Sequence, residues 1–124
     1  VSNYAARLQE ENWGIQKIPE VFRYHVDLCE IGLSNRGKSL EFAPEVIRSD
    51  AKLVEVAVKQ NGLALEFADS KLQSDTRIVE AALKQNGRAV RYVAPILLED
   101  DKYRARISRK YSSAESVLRE MGYE

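Results

Sequence analysis

His25 and Cys29 stand four residues apart, so a helix would carry an imidazole and a thiol on one face, with Asp27 nearby. They are the only histidine and the only cysteine of the chain. A structural zinc site needs four ligands, and two do not make one. A cysteine nucleophile needs a base and an activating environment, and this chain offers a single imidazole for that work. Gly32-Leu33-Ser34-Asn35-Arg36-Gly37-Lys38-Ser39 has the spacing of a phosphate-binding loop, but Gly32 falls within a predicted helix and the 25-residue period places Gly37 as a helix stop. These residues point to no catalytic centre, no metal and no cofactor.

Two other groups could hold a partner. Asn35, Gln60 and Gln85 are spaced by 25 residues, as are Arg36, Asn61 and Asn86 directly after them. If units of that length stack, the carboxamides form ladders with donors and acceptors enough to grip an extended peptide. The plainer reading is that they solvate and cap helix ends. Lys102, Arg106, Arg109 and Lys110 share one face of a helix and form a candidate anion-binding surface for phosphate or another polyanion. Here too a plainer reading exists, because acids at a helix start (Asp100, Asp101) and bases at its end complement the helix dipole.

The elements that position these groups come from a repeat. Residues 49–73 (SDAKLVEVAVKQNGLALEFADSKLQ) and 74–98 (SDTRIVEAALKQNGRAVRYVAPILL) align without a gap, and a more diverged copy occupies about 24–48. Pro19-Glu20-Val21-Phe22-Arg23 also matches Pro44-Glu45-Val46-Ile47-Arg48. Each unit reads as helix, glycine stop, shorter helix and turn. Asp50, Asp75 and Asp100 are N-cap types. Leu53, Val54, Ala57 and Val58 form one helical stripe, reproduced by Ile78, Val79, Ala82 and Leu83. Gly37, Gly62 and Gly87 are expected to stop the first helix through a left-handed residue. Leu40, Leu65 and Val90, with Phe42, Phe67 and Tyr92, are expected to form core columns.

The fold expected is therefore all-α: tandem 25-residue two-helix repeats stacked as a short α-solenoid, with divergent capping helices at 1–23 and 99–124. At the first end Tyr4 and Leu8 point inward and Trp13 closes the open face. At the other, Tyr103, Ile107 and Tyr111 form a stripe, and Ser112-Ser113-Ala114-Glu115 supplies a capping box for a last helix ending before Gly122.

Lys plus Arg equals Asp plus Glu, at 19 each in 124 residues, so no global field draws the chain to nucleic acid or anionic lipid. No stretch approaches the roughly 18 apolar residues of a membrane span, and the start lacks the apolar core of a signal peptide. A soluble, cytoplasmic protein is the expectation, with the lone cysteine pointing to a reducing compartment; export into another cell stays open.

The runs KQNGLALEFA and KQNGRAVRYVAP resemble the tandem repeats of a bacterial domain-of-unknown-function family (DUF 4116), with a pattern of about D-x-x-V-V-x-x-A-V-K-Q-N-G-x-A-L-x-x-A. The resemblance spans about 26–98 and is strongest over 50–94, while Gly32, Arg36 and Lys38 depart from the pattern. It implies helical repeats that are parts of larger bacterial proteins, and it carries no activity. The function expected is a non-catalytic module that binds an unidentified protein partner or spaces domains; the alternative is nucleic-acid or anionic-surface binding through the C-terminal basic helix.

Overall fold

The computed structural model describes residues 2–123, and every regular element among them is helical. Val1 and Glu124, at the outer ends of the expected caps, lie outside the described residues. In chain order the α-helices are α1 (Ser2–Glu11), α2 (Val26–Asn35), α3 (Glu45–Arg48), α4 (Ala51–Gln60), α5 (Thr76–Gln85), α6 (Pro95–Leu98), α7 (Asp101–Lys110) and α8 (Ala114–Glu120). Short 3₁₀ segments lie between them at Ile15–Lys17, Glu20–Phe22, Gly37–Phe42, Gly62–Phe67, Leu72–Ser74 and Gly87–Tyr92. The ten-residue helices α2, α4, α5 and α7 begin 25 residues apart, and α1 begins 24 before α2. α1 is followed by the same succession of short segments, so the expected N-terminal cap carries the element order of a full unit.

Local chemistry sets the helix starts. The carboxylate of Asp50 accepts from Lys52 N (3.0 Å) and Leu53 N (3.2 Å). Asp75 and Asp100 do the same for α5 and α7. Each such cap is worth about 1 kcal/mol over alanine. His25 holds the equivalent place before α2 without a side-chain bond. Helices this short are marginal alone and depend on packing. α1 packs on α2, α2 on α4 and α4 on α5, while the 3₁₀ segments Gly37–Phe42, Gly62–Phe67 and Gly87–Tyr92 pack on one another. Between the layers lie Leu28, Cys29 and Leu33, then Leu53, Val54, Ala57 and Val58, then Ile78, Val79, Ala82 and Leu83, met by Leu40, Leu65 and Val90.

Three expectations need correction. The long helices do end just before Gly37, Gly62 and Gly87, but through extended residues, Asn61 at φ −150° and Asn86 at φ −156°. None of these three glycines is left-handed; Gly122 (φ 101°) is the one described glycine that is. Glycine is required for close approach. A Cβ on Gly37 would strike the carbonyl oxygen of Ala57, one on Gly62 that of Ala82, and one on Gly87 that of Ser112. The neighbouring unit, and not the turn, demands the missing side chain.

The aromatic column is core only in part. Phe42 is 42 % exposed, whereas Phe67 and Tyr92 are half-buried and pack against the edge of the core, the fully buried places going to Leu40, Leu65 and Val90. The capping box before α8 does not form either. Ser113 is left-handed (φ 74°) and makes no side-chain cap bond, and Glu115 instead pairs with Arg119 at 2.7 Å.

Candidate functional site

Each carboxamide of the expected ladders is engaged within the fold. Gln60 Oε1 accepts from Gly37 N at 2.6 Å, and Gln85 Oε1 from Gly62 N at 2.5 Å. Both bonds join one unit to the preceding one and satisfy a first-turn N–H that its own segment leaves unpaired. Asn61 and Asn86 accept from Leu63 N and Arg88 N, each at 3.0 Å, and so cap the following 3₁₀ segments. Asn35 Nδ2 donates to Leu8 O (2.8 Å) and Trp13 O (2.9 Å), fastening α1 to α2. Gln60 and Gln85 each give a glycine amide one of the acceptor sites that a bound peptide would use.

The basic face of α7 is divided. Arg106 donates to both oxygens of Glu80, at 3.3 and 2.5 Å, and Lys110 Nζ stands 3.8 Å from the same carboxylate. Tyr111 Oη donates to it at 2.9 Å and Tyr103 Oη at 3.4 Å. The Arg106 hydrogen bonds, joined by that from Tyr111 and the nearby positive charges, hold the Glu80 carboxyl below its usual range. Burial, with the negative Glu80 beside them, pushes the Tyr103 and Tyr111 phenols up to about 12. Arg106 and Lys110 thus clamp α7 to α5. Lys102 and Arg109 stay exposed with no ion pair among the described residues. Arg109 borders a cleft of about 320 Å³ in which Arg104 pairs with Asp101 (2.8 Å) and Arg119 with Glu115 (2.7 Å).

Cys29 sits in the core, and its thiol donates to Arg23 O at 3.1 Å. Burial pushes that thiol up to about 11, against the pull of Arg23. A thiol held protonated is a poor nucleophile and metal ligand. His25 points elsewhere, tilted against Phe22 at 5.9 Å between ring centres. Among the described residues no group of three or more His, Cys, Asp and Glu converges as a metal site. Among the described residues no helix is long and apolar enough to cross a membrane.

Sequence reasoning missed an exposed apolar row. Val21 is 77 % exposed, Val46 61 % and Ile96 70 %, and all three occupy one repeat position, where the unit at 49–73 has Lys71. The signal was present in the match of 19–23 with 44–48, which aligns Val21 with Val46 outside any buried stripe. Backbone joints align the later segments of the row, Asp69 N donating to Arg48 O at 3.0 Å and Ala94 N to Gln73 O at 2.9 Å, whereas at Arg23 O, next to the Val21 segment, the donor is the Cys29 thiol. Beside it, Tyr24 (66 % exposed) and Phe42 border a recess of about 220 Å³ with Glu20, Arg23 and Pro44. The Arg23 guanidinium there is spent on Ile18 O, Gln16 O and Phe42 O.

Compared with known proteins, the chain matches one family model, described as a domain of unknown function (DUF4116), over residues 25–71 and 50–98. The two matches start one 25-residue unit apart, and each spans about two units. No curated protein matches the chain, and no solved structure does.

Proposed function

The chain belongs to the DUF4116 family, and we propose that it works as a non-catalytic protein-interaction module, a short solenoid whose exposed apolar row receives a partner. The observation that carries this reading is the row itself. Scattered exposed aliphatics are ordinary, but Val21, Val46 and Ile96 recur at one repeat position, interrupted only by Lys71, and exposed apolar surface gathered along one side is where soluble proteins meet others. Stacked helical units present such rows along an extended surface. The polar groups with chemical potential are occupied in the scaffold: Gln60 and Gln85 between units, Cys29 on a carbonyl, Glu80 in the clamp.

The competing reading, nucleic-acid or anionic-surface binding through α7, has less support, since Glu80 takes two of its four cations. A photo-crosslinking residue placed at Val46, at Ile96 and, on the basic side, at Lys102 tests the two in the cells that carry the protein. Protein adducts of one size from positions 46 and 96 and none from 102 are expected. Adducts only from 102, or adducts that nuclease removes, would reject the reading.

A further inference from the structure

We infer that the apolar row is a docking ridge for one amphipathic α-helix, basic where it crosses Val21 and Val46 and acidic where it crosses Lys71. The inference rests on the protein-interaction reading above and specifies its partner.

Spacing favours a helix. Val21, Val46, Lys71 and Ile96 belong to successive stacked units, and packed helical layers lie about 8 to 10 Å apart. Side chains seven residues apart on an α-helix lie on one face about 10.5 Å apart and can meet each unit in turn. In an extended strand, residues three apart span about 10 Å but point to opposite faces. A polyproline segment would match the spacing, but it docks in aromatic-lined grooves, whereas this ridge is aliphatic.

Charge fixes the register. The position before the row is Glu20 beside Val21 and Glu45 beside Val46, both exposed, then Ser70 and Pro95 in the later units. The Lys71 ammonium is exposed and forms no ion pair among the described residues. Arg23 shares a recess with Glu20, but its guanidinium is held on three backbone carbonyls, so the exposed charges of the ridge read negative beside Val21, negative beside Val46 and positive at Lys71. A complementary helix carries apolar anchors opposite Val21, Val46 and Ile96, basic residues beside the first two, and a carboxylate opposite Lys71. Rim charges of this kind select register and orientation more than they add affinity.

Two synthetic helical peptides of identical composition test this. Both carry leucine anchors seven residues apart; one has lysines beside the first two anchors and glutamate at the third position, and its isomer has the glutamate moved beside the first anchor and that lysine moved to the third position. Fluorescence anisotropy at about 50 mM salt should show the first bound about tenfold more tightly than the isomer, a gap that closes at about 500 mM. Lys71→Glu should narrow the gap, and Val46→Asp should weaken both peptides, with both variants keeping the wild-type circular-dichroism melt.

Equal binding of the isomers, both abolished by Val46→Asp, would overturn the charge-matched helix and leave the apolar row standing. Binding insensitive to Val46→Asp, or no binding of either peptide, would overturn the ridge as a helix dock. The fate of the broader reading then follows from the crosslinks at 46 and 96.

Discussion

Three carbonyls at one repeat position, those of Arg23, Arg48 and Gln73, each accept one hydrogen bond from another segment. For Arg48 and Gln73 the donors are the backbone N–H groups of Asp69 and Ala94. The equivalent residue in the first unit is Pro44, which has no N–H, and there the Cys29 thiol donates instead, at 3.1 Å. Cys29 in turn occupies the place of Val54 and Val79, which have no donor to offer. The cysteine is therefore expected to compensate for the proline, and a double-mutant cycle reads the coupling.

Cys29→Val keeps a buried apolar side chain and recovers about 0.8 kcal/mol for the added carbon, but leaves a carbonyl unpaired at a cost of about 1 to 3 kcal/mol. The expected net loss is about 1 kcal/mol, a few degrees in Tm for a domain of this size. Pro44→Ala alone should cost about 0.5 to 1 kcal/mol, by releasing unfolded-state entropy while supplying an N–H to a carbonyl already served. In the double variant that N–H takes over, so the pair should be less destabilised than the sum by about 1 kcal/mol. Urea unfolding followed by circular dichroism, with unchanged m-values, measures all four proteins. Because burial holds the thiol near 11, the cycle should read the same at pH 7 and pH 9. Additivity within about 0.3 kcal/mol would refute the compensation.

Two further outcomes concern the scaffold. Gln85→Ala removes the acceptor of the Gly62 amide and should cost about 1 to 3 kcal/mol. Gln85→Glu, which keeps an acceptor there, should recover most of it; equal losses in denaturant titrations would show that the bond contributes nothing. Glu80 titrates below its unfolded value of about 4.3, so its contribution is present above that pH and is lost as pH falls through the depressed folded value. Glu80→Gln should therefore lower Tm at pH 7 and flatten the acid limb, and a limb parallel to wild type would reject the clamp.

How far each feature could be read in the sequence depended on where its physical cause lies. The long helices are legible because an Asp N-cap and an apolar stripe act within a few residues of each other, as at Asp50, Leu53 and Ala57. Gly62 is legible as a boundary but misleading as to cause. A glycine after Asn61 suggests a left-handed stop, whereas the atom that excludes a side chain is the carbonyl oxygen of Ala82, in the next unit. Gln85 reads as a solvent-facing carboxamide because its partner amide lies 23 residues away. Arg106 reads as a free cation until α7 is laid against Glu80.

Internal repetition supplies the control that a single copy lacks, since positions that differ between units call for a local reason. Cys29 against Val54 and Val79 finds one in Pro44. Lys110 against Gln60 and Gln85 finds one in the change from repeat to clamp at Glu80. Lys71 against Val21, Val46 and Ile96 finds none in the packing: the row is exposed in every unit, and neither an aliphatic side chain nor an ammonium is needed there to hold the fold. Selection for solubility alone would favour polar residues at all four places. Three aliphatics and one lysine on a solvent-facing ridge make sense when the constraint comes from what lies across it.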